Sequence, residues 1–233
     1  MSTTSAENNE LARELAFAAH IESLDEIRGD ARATVDAIDA YCWAGQWMMN
    51  VGDEKGQIVD AAVAEAAPDV IIELGMYCGY SALRFASRTP ATTKIFSIEP
   101  HAGRAAVAKR VFAHAGVSDR IVWLEGTASD VFPSLLNKIR VELGLDSDAS
   151  PGKLLFFFDH VKGAYKPDLM LGESLGLFPE GAVVVADNVI FPGAPDFLEY
   201  VRASDKWSTT FHASHLEYSK DEDGIEVCIR VAA

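Results

Sequence analysis

The segment FFFDHVK, residues 156–162, sets Asp159, His160 and Lys162 at the end of an apolar run, and 28 residues after Asp159 a second run, AVVVAD, ends on Asp187 with Asn188 behind it. If the two runs are neighbouring parallel strands, three oxygen-bearing side chains meet at one sheet edge. Two carboxylates and an amide suit a hard divalent cation, and Mg²⁺ commonly keeps open positions for water or substrate oxygens. Carboxylates this close repel each other unless neutralised, a further argument for a cation. Taken alone, Asp187 could equally cap a turn and Asn188 be an ordinary loop residue. Lys162 lies three residues past Asp159, within reach of the same pocket. Beside a dication its ammonium is destabilised and the amine becomes a candidate general base for a hydroxyl; otherwise it is a solvated loop lysine. His160 is similarly open: it could touch a nucleobase, stack, pack or bind a metal, although the oxygen-rich neighbours favour Mg²⁺ over zinc.

A second stretch with chemical content is ELGMYCGYSALRFA, residues 73–86. Gly75 and Gly79 allow a tight reversal and close approach of a ligand, with a helix N-terminus from about Gly79 to Ser81. The spacing lacks the middle glycine of G-x-G-x-x-G, and Glu73 stands two residues before the first glycine. A carboxylate there would repel a pyrophosphate but tolerate a cationic amino-acid group, directly or through water. Glu99 closes the next apolar run, where an acid commonly accepts hydrogen bonds from both ribose hydroxyls. A nucleoside with a cationic, phosphate-free tail is S-adenosylmethionine. A glycine turn alone has a plain steric explanation; its pairing with Glu99 points to the cofactor.

These residues need a sheet to hold them. From residue 69 on, DVIIEL, TKIFSIE, RIVWLE, KLLFFFD and AVVVAD alternate with helix-length segments, which predicts an α/β fold with a parallel sheet and helices on both faces. Near the end, WSTTFHAS and GIEVCIRVA read as two strands around a turn at SKDEDG, so that at least one joins the sheet antiparallel. Residues 9–66 carry helical periodicity only, residues 1–8 are polar and expected to fray, and 144–152 is a loop of turn formers.

The 233 residues, 49% of them hydrophobic, suffice for one domain spanning 1–233. A formal charge of −15 argues against nucleic acid and anionic membrane surfaces as partners. The start lacks a secretory signal and no apolar run reaches membrane-spanning length, so a cytoplasmic protein is expected. Cys42, Cys78 and Cys228 have neither disulfide-framework nor zinc-site spacing and read as reduced thiols.

Together MNVGDEKGQI, ELGMYCGYSA, FDHVK, ADNVIFPGAPDFLEYVR and HLEYSK resemble the catechol O-methyltransferase family, in order and over roughly residues 40–220. The resemblance implies a Rossmann-like methyltransferase fold with a seven-stranded, mostly parallel sheet. It implies Asp159, Asp187 and Asn188 as Mg²⁺ ligands, Lys162 as base, and Asn188 and Glu217 at the catechol hydroxyls. Trp47 and Pro192 match apolar gatekeepers of the substrate ring, with Leu216 nearby. Met49, Val51, Glu73, Gly75, Tyr77, Ser81, Glu99, Asp159 and His160 match positions around the methyl donor. The implied partner is a small catechol, and the implied assembly is a monomer or weak dimer.

The chain departs from the family pattern at Val161, where a tryptophan is usual, and at Pro100, where a methionine is. The family's GASQ reads GTAS, residues 126–129, which makes Ser129 a candidate donor to adenine, and the 144–152 loop is longer. Two rivals remain at this level: an O-methyltransferase for a larger vicinal diol such as a hydroxycinnamoyl ester, and a non-catalytic methyl-donor sensor. The first wants a basic surface at its mouth, the second has no use for the joint set of acids and Lys162. A nicotinamide oxidoreductase is weaker, for want of G-x-G-x-x-G.

Overall fold

The computed structural model describes the backbone of residues 5–232 and the side chains of residues 9–232. Its strands are β1 (Val70–Leu74), β2 (Lys94–Glu99), β3 (Ile121–Glu125), β4 (Leu154–Phe158), β5 (Val183–Ala186), β6 (Trp207–His215) and β7 (Glu222–Arg230). Around them lie α1 (Ser5–Glu22), α2 (Ala31–Trp43), α3 (Asp53–Ala66), α4 (Tyr80–Arg88), α5 (Ala102–His114), α6 (Ala128–Val131), α7 (Leu135–Leu143), α8 (Tyr165–Ser174) and α9 (Pro195–Ala203). The seven strands form one sheet in the order β3-β2-β1-β4-β5-β7-β6, in which β7 alone runs against the direction of the other six. That is the expected mostly parallel sheet with an antiparallel C-terminal strand.

Every residue of β1 and β4 is buried, as strands covered on both faces must be. The pleat divides the phenylalanine run. Phe157 joins Ile71, Ile95 and Val185 in the layer beneath α1–α5, whereas Phe156 and Phe158 join Ile72, Phe96 and Val184 in the layer beneath α6–α9.

Connections run outward in one direction from β1 through β2 to β3, then in the other from β4, so the order reverses between β1 and β4. A crevice opens at the carboxyl ends of the strands at such a point. The ladder continues one residue past it: Asp159 N–H donates to the Leu74 carbonyl at 3.0 Å, and Asp187 N–H to the Phe158 carbonyl at 2.9 Å. The two aspartates are thereby set side by side on the crevice.

Two sequence expectations need adjustment. β7 starts at Glu222, inside the segment read as a turn, because Glu222, Asp223 and Gly224 pair with His215, Ser214 and Ala213 of β6. Ladder bonds there override the poor strand propensity of Asp and Gly. At the amino end, α1 already begins at Ser5, and the rest of the stretch expected to fray, residues 1–4, lies outside the described residues. Among the described residues, no helix is long and apolar enough to cross a membrane, and all three cysteines are free and buried.

Candidate active site

Asp159 follows β4 and Asp187 follows β5, and the buried Tyr165 ties the two strand ends together. Its hydroxyl lies 2.6 Å from the Phe158 carbonyl and 3.1 Å from that of Asp187. Lys162, in a single tight turn just before α8, points back over this pair. Its ammonium donates to Asp159 Oδ1 at 2.9 Å and to the Tyr165 hydroxyl at 2.7 Å. Asn188 adopts the left-handed region at φ 54°, which an Asn tolerates better than most residues, and its backbone N–H donates to Asp187 Oδ1 at 2.8 Å.

The structure adds two residues that the sequence reading passed over. Lys55, in the first turn of α3, is buried, and its ammonium sits 2.9 Å from Asp187 Oδ1, 2.8 Å from Asp223 Oδ2 and 3.7 Å from Glu217 Oε2. Asp223, on β7, also accepts from Asn188 Nδ2 at 2.8 Å and from the backbone N–H groups of Ile190 and Phe191 at 3.3 and 3.0 Å. Lys55 lies inside the quoted MNVGDEKGQI stretch, but nothing local marks it as buried.

Charge in this cluster does not balance. Asp159, Asp187, Asp223 and Glu217 face Lys55 and Lys162, leaving a formal excess of two negative charges. Burial opposes the ammonium of Lys55, but Asp187 and Asp223 outweigh it and raise its pKa. Burial also disfavours the charged form of Asp223, yet Lys55 and the backbone donors win and its pKa is lowered. At Asp187 burial dominates: with Lys55 drawn on by several acids, its carboxyl is pushed up to about 7. Glu217 is likewise raised, by burial first.

These groups fit a hard dication. The shortfall of positive charge is of the right size, and Asn188, having given its amide nitrogen to Asp223, keeps its oxygen free as a ligand. No group of three or more His, Cys, Asp or Glu among the described residues is arranged to hold a metal ion, and the candidate set correspondingly needs the amide.

The cofactor side is built on the β1–α4 turn. Gly75 has φ 97°, and a Cβ there would run into the Asp159 carbonyl; Gly79 has φ 88° and leaves room for the Phe112 ring. Both glycines thus serve packing. Glu73 is fully buried, with one oxygen taken by the Ser81 hydroxyl and the other by that of Ser97. Ser81 and Ser97, from α4 and β2, thus take one acceptor position on each oxygen of Glu73. Glu99 does end its strand on the crevice, where its carboxylate accepts from the N–H groups of Tyr77 at 3.0 Å and His101 at 2.9 Å. Ser129 is exposed, 2.9 Å from the Thr127 hydroxyl, at the start of α6.

His160 resolves toward stacking. Its ring lies 4.9 Å from that of Tyr165 at 28°, Nε2 is 2.8 Å from Asp168, and Nδ1 is buried without a hydrogen-bond partner among the described residues. The loop ahead of α3 closes on Glu217: a Cβ at Gly52 would come within 2.9 Å of Glu217 Cβ, and Asn50 Nδ2 donates to the Tyr218 hydroxyl at 3.3 Å. Val51 is buried in that loop, while Met49 and Trp47 are 50% and 44% exposed, Trp47 beneath the Arg13 guanidinium of α1. Pro192 is exposed in the irregular turn Val189–Gly193, and Leu216 is half-buried beside Glu217. Asp159, Lys162, Asp187, Asn188 and Glu217 are thus gathered into one cluster, and the apolar residues stand at its margin.

A family model described as O-methyltransferase matches residues 42–200. The chain is 42% identical to catechol O-methyltransferase of Mus musculus over 201 residues, 86% of this chain and 72% of that protein. With catechol O-methyltransferase of Bos taurus the identity is 43% over 200 residues, 86% of this chain and 70% of that protein. Among solved structures, that of the O-methyltransferase TomG from Streptomyces achromogenes superposes with a TM-score of 0.68, covering 96% of this chain and 99% of that one at 20% identity, which speaks for the fold. With two thirds of its length inside the family model and relatives this similar over most of the rest, the chain belongs to the O-methyltransferase family.

Proposed function

We propose that this chain transfers the methyl group of S-adenosylmethionine to one hydroxyl of a catechol, with Mg²⁺ held by Asp159, Asp187 and Asn188. The observation that carries the reading is the clustered Asp159–Lys162 pair, Asp187, Asn188 and Glu217 with its excess of two negative charges. Relatives over 40% identical are named for methyl transfer to catechol, in agreement with it.

A dication at that place supplies charge that makes a chelating hydroxyl more acidic. As the neutral amine, Lys162 takes the proton of the reacting hydroxyl, and Glu217 accepts a hydrogen bond from the other. Ser81 and Glu99 hold the methyl donor across the β1–β4 crevice, with Glu73 bracing Ser81 from below. The hydroxyl oxygen forms the new bond to the methyl carbon as the carbon–sulfur bond breaks toward sulfur, leaving S-adenosylhomocysteine. Trp47, Pro192 and Leu216 wall the ring, so the main service of the protein is alignment.

The test is S-adenosylhomocysteine formation from S-adenosylmethionine and a dihydroxybenzoate. Chelation of Mg²⁺ is expected to abolish turnover, Lys162→Ala to lower it roughly 10²–10⁴-fold, and a monophenol to react poorly. Turnover indifferent to both chelator and Lys162→Ala would overturn the reading. Cofactor binding without turnover on any diol would replace it with that of a sensor.

A further inference from the structure

Asp223 is the most heavily engaged carboxylate near the site, and the mechanism above gives it nothing to do. Its Oδ2 accepts from Lys55 Nζ and Asn188 Nδ2, both at 2.8 Å, and its Oδ1 accepts from the backbone N–H groups of Ile190 and Phe191. A carboxylate only accepts, so Asn188 can satisfy it only through its nitrogen. The amide oxygen is then turned the other way. The same side chain holds the backbone just ahead of Pro192, the wall of the substrate site.

We propose that Asp223 is the positioning residue of this centre: it orients the Asn188 amide with its oxygen toward the metal and pins the Ile190–Pro192 segment against the substrate, with Lys55 as its buried counter-charge. The proposal rests on the metal-dependent reading above. Outer partners of metal ligands act in this way, and their loss weakens binding roughly 10–100-fold. Lys55 makes the arrangement tolerable, since an unpaired carboxylate at this depth would be strongly unfavourable.

The isosteric variant Asp223→Asn separates the roles. Its oxygen can serve Lys55 and Asn188 or the two backbone donors, but its NH₂ then faces donors on the other side. With S-adenosylhomocysteine saturating, Mn²⁺ binding followed by electron paramagnetic resonance is expected to weaken roughly 10–100-fold. The affinity for S-adenosylhomocysteine itself should stay within about twofold, because Ser81 and Glu99 do not touch Asp223, a separation that outer-partner effects allow. The ratio of the two mono-methylated products of an unsymmetrical catechol should shift as the Pro192 segment loosens.

The pair Lys55→Met with Asp223→Leu guards against mere unfolding. An apolar pair commonly restores the stability that breaking one partner of a buried ion pair removes. It is expected to raise Tm above that of Asp223→Leu alone while Mn²⁺ binding stays weak, since Asn188 still lacks its acceptor. Parental Mn²⁺ affinity in Asp223→Asn, or recovery of Mn²⁺ binding in step with Tm in the double variant, would overturn the positioning role alone. A parent chain that binds no Mn²⁺ at all would overturn the metal-dependent reading and this one with it.

Discussion

Burial, more than any neighbour, sets how tightly Glu73 holds its proton. Burial, only partly offset by the hydroxyls of Ser81 and Ser97, pushes its carboxyl from an ordinary 4.5 up to about 7. The folded chain therefore holds this proton more tightly than the unfolded one. Its contribution to stability is fully present below pH 4.5 and is lost as pH rises through about 7. The whole swing is about 3 kcal/mol. Urea denaturation of the parent and of Glu73→Gln across that window should give stabilities whose difference moves against the parent as pH rises; a flat difference would contradict it. The acid itself was visible in the sequence, but its pairing with Ser97 was not, because Ser97 comes from the next strand. Lys55 and Asp223 were invisible for a stronger form of the same reason. They are 168 residues apart, and neither carries a local signature of burial.

At the scale of elements, strand ends and turns were legible because they follow from short-range pattern. Asp159 and Asp187 were placed correctly, since an apolar run that stops on an acid marks its own carboxyl end. The far end of the β6–β7 hairpin was not, because Asp223 reads locally as a turn former and becomes a strand residue only by pairing with Ser214. Gly75 illustrates what an element demands of one residue. With φ 97° and the Asp159 carbonyl where a Cβ would stand, Gly75→Ala must move either the end of β1 or Asp159. It is expected to cost at least roughly 1–3 kcal/mol from backbone strain, read by denaturant titration. Because Asp159 has to yield, turnover should fall by more than the loss of folded protein explains. Full activity in a stably folded Gly75→Ala would show that the close approach is dispensable.

Across the whole molecule, the charge of −15 is expected to favour neutral diols over anionic ones. A free catechol is indifferent to that field, whereas a hydroxycinnamoyl group on a phosphate-bearing thioester carrier is repelled by it. The expected preference in kcat/KM for the free catechol is roughly tenfold or more at low salt. It should narrow as salt rises from about 0.01 to about 1 M and the Debye length shrinks from about 30 to about 3 Å. Initial rates on both substrates across that range decide it, and a preference for the thioester at low salt would favour the larger diol.

What the sequence by itself determined is what neighbours along the chain impose: the period-two runs, the glycine turn, the acids at strand ends and Lys162 three residues past Asp159. From these came the α/β sheet and the outline of the site. Only the tertiary structure decided which of 35 acidic residues Lys55 would meet, that Asp223 would hold Asn188 by its nitrogen, and that Glu217 would close against the loop ahead of α3. Those partners are fixed by the strand order β4-β5-β7 and by α3 lying across it, an arrangement of long-range packing that no spacing along the chain encodes.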